Sequence, residues 1–350
     1  QTNTTGDQNT ALGTGALASN TTADNNTAVG RGALGANTTG FQNVAVGTFT
    51  LDAITTGNSC TAMGHAALSA NTANNCSAFG ANALIVNTTA VDNNAFGVAA
   101  LADNTTGIRN QAFGVSALQD NTTGTQNNAF GYAALALNTT ASNNTAVGHN
   151  ALGSNTTGTR NNAVGSGALD ANTTASDNTA MGHNALGSNT TAIDNTAFGS
   201  GALLANTTGS DNTGIGSACL DACTTGSNNC AVGRQALGSN TTGDHNCACG
   251  TNAGGSITTG SNNVLIGDGA GQTSSPSGQI TTGSNNVVLG NNNISNLFCA
   301  DTSISSSDSR DKTDVADFSI GLQWIEALRP VTYRWDRRTW YGTDAEPYGT

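Results

Sequence analysis

Charged residues are scarce in this 350-residue chain and unevenly placed. They make up 9% of the sequence, and residues 1–300 contain four arginines but no lysine and no glutamate. The formal net charge is −12 at pH 7. Because no basic patch accompanies it, we expect no nucleic-acid partner. The change in composition near residue 300 predicts a domain boundary.

Long apolar runs and the side-chain sets of hydrolases are also missing. No stretch of about 18 apolar residues occurs, so we expect no transmembrane helix and no insertion into a membrane. Residues 1–300 offer neither paired carboxylates nor convergent histidines, which argues against a glycan-cleaving enzyme. We recognise no signal peptide, and because the chain starts at Gln1 rather than at Met, we expect a piece of a longer protein.

What the sequence has in abundance is Gly, Asn and Thr in a fixed repeat. Leucines recur every 17 residues from Leu17 to Leu68 and, after one shorter step, from Leu84 to Leu237. A fixed period of this size is typical of solenoids and arrays.

The repeat has 17 positions, Asn-Thr-Thr-Gly/Ala-x-x-Asn-Thr/Asn-Ala-Val/Phe-Gly-x-x-Ala-Leu-x-x. A degenerate last copy follows an insertion that contains Pro276. The copies begin at Asn3, Asn20, Asn37, Ile54, Asn71, Asn87, Asn104, Asn121, Asn138, Asn155, Asn172, Asn189, Asn206, Cys223, Asn240, Ile257 and Ile280.

The residue types of this repeat predict an all-β fold, a parallel β-solenoid of 17-residue coils. Gly, Asn and Thr in every copy disfavour helices. The invariant Gly at position 11 indicates a corner with positive φ or a close backbone approach, and Asn-Thr-Thr-Gly forms the other corner. We expect strands near positions 8–10 and 13–16. About 15 coils at ~4.8 Å each give a rod on the order of 70 Å long.

The columns of apolar residues leave two arrangements open. Positions 9 and 14 are Ala in nearly every copy, whereas position 10 is Val, Phe or another apolar residue and position 15 is Leu. Either Val/Phe and Leu fill the coil and the alanines line an outer wall that packs against another chain, or the reverse. One Leu and one Val or Phe per coil is a small core for 17 ordered residues, so we expect a homo-oligomer.

Several other residues are candidates for special chemistry. The Asn-Thr-Thr sequons favour a structural turn over glycosylation. Cys60 and Cys76 share one repeat position and Cys230 and Cys247 share another; we favour small fillers, with rung-to-rung or interchain disulfides as the alternative. No metal site and no cofactor are expected, although a Ca²⁺ site is the alternative for three stacked carboxylates, and the histidines are expected to be solvated. These carboxylates and histidines are Asp177, Asp194, Asp211, His65, His149, His183 and His245.

The Asn-x-Ala-Val-Gly element, as in residues 26–30 and 144–148, resembles the head repeats of trimeric autotransporter adhesins. The chain is still more similar to the Asn-Thr-Thr-Gly-Ser-Asn-Asn type repeats of phage tail fibres, as in Thr-Thr-Gly-Ser-Asn-Asn over residues 258–263. These resemblances imply three parallel β-rolls per fibre, and hence a homotrimer.

Residues 307–335 resemble the start of the intramolecular chaperone of endosialidase family, from the Ser-Asp-Ser-Arg-Asp-Lys-Thr-Asp segment to Leu-Arg-Pro-Val-Thr-Tyr-Arg-Trp. The resemblance implies a trimerisation domain that cuts itself off, with Ser307 as nucleophile, Lys312 as base and the cut before Ser307. Asp317 and Pro330 would bound a helix ahead of a short strand, so this piece is expected to be α+β.

We therefore predict a β-solenoid shaft over residues 1–273, a degenerate last repeat and neck over 274–306, and the N-terminal part of the chaperone domain over 307–350. The resemblances imply a structural component of a viral or phage tail fibre, extracellular and in the virion. Its partners would be its own copies, other virion proteins and a host receptor or glycan. At most it is a self-cleaving serine endopeptidase, and the shaft is no enzyme. A bacterial trimeric adhesin and, less favoured, an ice-binding solenoid are the alternatives.

Overall fold

The computed structural model describes residues 3–296. Within them the chain is a parallel β-solenoid in which each coil contributes one three-residue strand to a single sheet. The predicted fold class is confirmed for this range, where there is no helix and thus none that could cross a membrane. The strands are β1 Thr10–Leu12, β2 Thr27–Val29, β3 Val44–Val46, β4 Thr61–Met63, β5 Ser77–Phe79, β6 Asn94–Phe96, β7 Gln111–Phe113, β8 Asn128–Phe130, β9 Thr145–Val147, β10 Asn162–Val164, β11 Thr179–Met181, β12 Thr196–Phe198, β13 Thr213–Ile215, β14 Cys230–Val232, β15 Cys247–Cys249, β16 Val264–Ile266 and β17 Val287–Leu289.

Each strand pairs in register with the strands of the coils before and after it. Ala163, for example, lies opposite Ala146 on one side and Ala180 on the other. The compact unit that contains the solenoid ends at Ser295. The domain limits after residues 273 and 306 stay predictions, as does the number of chains in the assembly. The predicted α+β piece lies outside the described residues.

The leucine column forms a continuous buried spine, as predicted. All fourteen leucines at position 15 are buried, with Leu17 at the open first coil 4% exposed and the others 0%. Each has a left-handed backbone, with φ between +49° and +54°. This conformation costs a side-chain-bearing residue about 1–2 kcal/mol. Burying a leucine contributes about 1.5–3 kcal/mol, which offsets that strain.

The second predicted strand, near positions 13–16, is wrong. This segment is a turn in every coil before the degenerate last copy, because positions 13 and 15 both take positive φ, as at Ala133 and Leu135. The turn brings two adjacent residues, such as Ala134 and Leu135, into the core together. An extended strand would send them to opposite faces.

The alanine columns lie inside the coil, so they do not form an outer wall against another chain. The middle residue of almost every strand is an alanine, and those of β2 to β12 are at most 1% exposed. Position 14 is equally buried, as at Ala134. Since the leucine crosses the interior from the turn, only a small side chain fits on the strand opposite it. The Val/Phe column therefore points outward.

The invariant glycine at position 11 satisfies both parts of its prediction. Gly182 has φ +138°, and a Cβ added there would lie 2.5 Å from the carbonyl oxygen of Gly199 in the next coil. Such a distance is far inside van der Waals contact, so no other residue fits this corner.

Two ladders of buried asparagines hold the opposite corner. At position 1, the Asn121 Nδ2 donates to Asn104 Oδ1 of the preceding coil at 2.8 Å and to the Gly124 carbonyl of its own turn at 3.1 Å. At position 7, the main-chain N–H of Asn127 donates to Asn110 Oδ1 at 3.0 Å, and its Nδ2 donates to the Ala141 carbonyl at 2.8 Å. The ladders thus pair main-chain groups that would otherwise be buried without partners.

Coils of unusual length keep their strands in register with the neighbouring coils. The coil over residues 71–86 lacks the exposed threonine of position 3. The coil that begins at Ile257 takes its extra residues after Gly271, beyond position 15. Glycines replace the column leucine at Gly254 and Gly271, and Leu265 replaces the strand alanine and fills the space beside both of them. A change at one core position is compensated at another.

We expect Gly182→Ala to destabilise the solenoid by about 2 kcal/mol or more, because the backbone must leave its conformation or clash with Gly199. Gly201→Ala is the matched control: its φ is +66°, with open space around the added Cβ, and Ala133 and Ala218 adopt the equivalent conformation. Denaturant unfolding of both variants measures the difference. Equal stabilities would contradict the proposed role of the close backbone approach.

The ladder at position 1 is interrupted where Cys223 replaces Asn, and the Oδ1 of Asn206 is buried without a hydrogen-bond partner. We expect Cys223→Asn to stabilise the protein by about 1–3 kcal/mol over Cys223→Ala, since the new amide donates to that oxygen. Chemical unfolding of the two variants checks this. An asparagine variant no more stable than the alanine variant would refute the account of the ladder.

Candidate functional site

The outer face of the sheet carries an apolar column that the core does not use. It consists of the third residue of each strand, and none of these residues is buried. Phe130 is 40% and Phe198 51% exposed, whereas Ala129 and Ala197, which precede them in their strands, are 0% exposed. The outer apolar column comprises Leu12, Val29, Val46, Met63, Phe79, Phe96, Phe113, Phe130, Val147, Val164, Met181, Phe198, Ile215, Val232, Cys249, Ile266 and Leu289.

Sequence reasoning left the direction of this column open, although a signal was present. Position 10 accepts side chains from Val to Phe, which a closed cavity of fixed size would not allow. Position 9 stays Ala in nearly every copy, which indicates a limit on size. Variation in volume at constant apolar character marks an outer surface.

Four phenylalanines of the column form a stack along the solenoid. The ring centroids of Phe79, Phe96, Phe113 and Phe130 are 4.6, 4.6 and 4.8 Å apart, with planes within 7° of parallel. The faces cover each other, so mainly the ring edges face outward. Two residues farther along these coils, Val98, Val115 and Tyr132 are 50%, 44% and 57% exposed and widen the apolar surface.

The first residue of each strand forms a second outward column, and this one is mostly polar. It consists largely of Thr, Asn, Ser and Gln, with Cys or Val in a few coils. Neither outward column contains a charged residue in any of the seventeen strands. The outer face of the sheet is therefore electrically neutral along its length.

The four histidines are exposed, as predicted. His149 stacks on the Tyr132 ring with centroids 5.2 Å apart. Arg31 lies over the Phe49 ring at 4.5 Å. These are contacts between neighbouring coils on the surface.

The stacked carboxylates form no metal site. Arg160 holds Asp177 with two hydrogen bonds, Nε to Oδ1 at 2.6 Å and Nη2 to Oδ2 at 2.7 Å. This guanidinium lowers the pKa of the Asp177 carboxyl. Across residues 3–296, no three His, Cys, Asp or Glu side chains come together in a group that could hold a metal ion.

The sequon asparagines are structural, as the turn interpretation predicts. Those of the position-1 ladder, such as Asn104 and Asn121, are fully buried and donate to neighbouring coils. A glycan on Nδ2 would remove these hydrogen bonds and has no room inside the coil. In the folded solenoid these ladder asparagines therefore cannot be glycosylated.

The seven cysteines within the described range are free thiols and fall into two groups. Cys60, Cys76, Cys219 and Cys223 are buried, and burial raises the pKa to about 12 for Cys76 and Cys219 and to about 11 for Cys223. Cys230, Cys247 and Cys249 are exposed on the outer face of β14 and β15. The buried group fits the filler interpretation.

The predicted catalytic residues Ser307 and Lys312 lie outside the described residues. The comparison with protein families bears on their segment: residues 307–348 match the family model described as chaperone of endosialidase. The match begins at Ser307 and agrees with the resemblance found in the sequence. No curated protein matches the chain.

Proposed function

We propose that this chain is the structural shaft of a viral or phage tail fibre, a homotrimeric extracellular rod that holds a receptor-binding tip away from the virion. The C-terminal segment is the start of a chaperone that assembles the trimer. One observation carries the proposal: an exposed apolar column runs the full length of a solenoid whose chain continues into a match to the chaperone of endosialidase.

The outer apolar column supports the association of identical chains. Seventeen apolar side chains, one per strand at about 4.8 Å, form a stripe about 80 Å long. Monomeric proteins rarely expose continuous apolar patches of more than a few hundred Å². A second copy presents the same stripe with the same spacing, so side chains of the two columns interlock rung by rung. The threefold order follows from the resemblance to fibre repeats.

The distribution of charge also favours association of identical chains through this face of the sheet. The chain has a formal net charge of −12, which makes identical copies repel each other. The two outward columns of the sheet are uncharged, so this face is where copies approach at the lowest electrostatic cost.

The C-terminal segment is proposed to release itself after assembly. The Ser307 hydroxyl attacks the carbonyl carbon of Ser306 while Lys312, which this chemistry needs in its neutral form, accepts the hydroxyl proton. The Ser306–Ser307 C–N bond breaks, the freed amine takes up a proton, and water hydrolyses the resulting ester. The family match that starts at Ser307 supports this assignment.

A bacterial trimeric adhesin is the alternative, since the repeats resemble those of adhesin heads. The chaperone match distinguishes the two candidates and favours the fibre. Host receptor or glycan binding and contacts with other virion proteins belong to the proposed assembly.

We expect the full chain to sediment as a trimer, and the double variant Met181→Asp with Ile215→Asp to weaken trimer formation about tenfold or more, because the new carboxylates would be buried between chains. Thr174→Asp with Thr208→Asp is the matched control, with the same added charge at exposed corners of the same coils. Analytical ultracentrifugation measures the mass, and circular dichroism verifies that the coils are intact. A monomeric wild-type chain, or equal effects of the two double variants, would overturn the proposed interface.

We expect the wild-type chain to separate between Ser306 and Ser307, and Ser307→Ala and Lys312→Ala to stay intact. Ser309→Ala, two residues from the nucleophile, should be cut like the wild type. Intact-mass measurement of the purified proteins reports the fragments. If wild type and Ser307→Ala give identical uncut products, the self-cleavage proposal fails while the shaft proposal stands.

A further inference from the structure

Cysteines at equivalent positions of consecutive coils form two pairs, one inside the solenoid and one outside. Cys60 and Cys76 occupy position 7, where most coils have a ladder asparagine. Cys230 and Cys247 occupy the first position of β14 and β15 and are partners in the parallel register. Cysteines of adjacent coils thus lie in two different environments.

The inner thiols replace the ladder amides and are needed as thiols. The Cys60 Sγ donates to the Ala73 carbonyl at 3.3 Å, and the Cys76 Sγ donates to the Ala90 carbonyl at 3.2 Å. A disulfide would leave both carbonyls without these donors. Burial also raises the pKa of Cys76 to about 12, which suppresses the thiolate that disulfide exchange requires.

The outer thiols have the opposite setting. Cys230 and Cys247 are both exposed and project from the same face of neighbouring strands. Neighbouring strands lie about 4.8 Å apart, inside the range of about 4.4–6.8 Å between Cα atoms that a disulfide accepts. Partial burial, followed by the nearness of the Cys247 thiol, raises the pKa of Cys230 as well, so exposure and register are what distinguish this pair from the inner one.

We propose that Cys230 and Cys247 form an intrachain disulfide that joins their two consecutive coils. The oxidant is a small-molecule disulfide such as oxidised glutathione. The Cys247 thiolate attacks one glutathione sulfur and expels the first glutathione as a thiolate. The Cys230 thiolate then attacks the Cys247 sulfur of the mixed disulfide and expels the second. Two protein thiols are oxidised, one glutathione disulfide is reduced to two thiols, and no other reactant is consumed.

This disulfide would join the last coil of the leucine column to the first coil that lacks the leucine. The leucine column ends at Leu237, and the next two coils have Gly254 and Gly271 in its place. A covalent link between β14 and β15 prevents these strands from separating at that point. The disulfide is separate from the proposed function, and if copies cover this face of the sheet as proposed, the bond forms before the chains associate.

The sequence provides a direct test by peptide mapping. Arg234 lies between the two cysteines, so trypsin places Cys230 in peptide 161–234 and Cys247 in peptide 235–310, which ends at residue 306 once the proposed self-cleavage has taken place. The full chain is incubated with oxidised glutathione, blocked with a thiol reagent, unfolded and digested. We expect the two peptides to be joined, a mass loss of about 2 Da in the intact chain, and migration as a single chain in denaturing gels without reductant.

Single cysteine substitutions identify which two thiols form the disulfide. Cys230→Ser and Cys247→Ser should each abolish the joined peptides, and Cys249→Ser should keep them. Cys60 and Cys76 lie together in peptide 32–109 and serve as the internal control, which should be recovered fully blocked on unfolding. Unjoined peptides in the wild type, a bond within peptide 235–310, or cross-linked chains in the gel would each overturn the proposal.

Discussion

The solenoid depends on the requirement that each coil return to the same place above the last, so that buried asparagines of consecutive coils meet. A side-chain amide buried in the coil needs both an acceptor and a donor. For Asn121, Asn104 of the preceding coil supplies the acceptor and Asn138 of the following coil supplies the donor. A shift of one residue would break both ladders and turn the strand alanines outward. The 17-residue spacing is thus a condition of burying polar side chains in a narrow core, which explains why length changes occur only at exposed corners.

The narrow core follows from the same requirement. The turn after the Gly corner has left-handed residues at positions 13 and 15, and this geometry delivers Leu and Ala together to the interior. Once the leucine crosses the coil, the opposite strand has room only for alanine. The exchange at Leu265, with Gly271 in the leucine position, shows that the volume shared by the two sides is held constant. The hydrogen bonds between coils and this fixed core volume together determine the structure of each coil.

The features that repeat without variation could be predicted from the sequence. The same residue at one position of every coil indicates a stacked column with one structural role. The leucine spine, the glycine corner and the structural asparagines belong to this class. The second strand could not be excluded, since apolar spacing does not reveal a left-handed φ at Leu135. Nor could the direction of Phe113 be fixed, since a three-residue strand has one inward residue and the larger apolar one is the natural candidate. The cysteines at 230 and 247 could be paired only after the register was known, and Ser307 and Lys312 lie outside the described residues.

The outer apolar column is the feature that the fold itself leaves unexplained. Position 8 faces outward on the same strands and is polar in most coils, so an outward position has no need of apolar residues. Position 10 is nevertheless apolar in all seventeen coils, while its side chains change from Val to Met to Phe. The internal packing does not require this constancy, because the side chains lie outside the core. A requirement that keeps hydrophobicity but not shape, repeated rung by rung, is what the proposed association of copies would impose, because a second copy presents the same column with the same period.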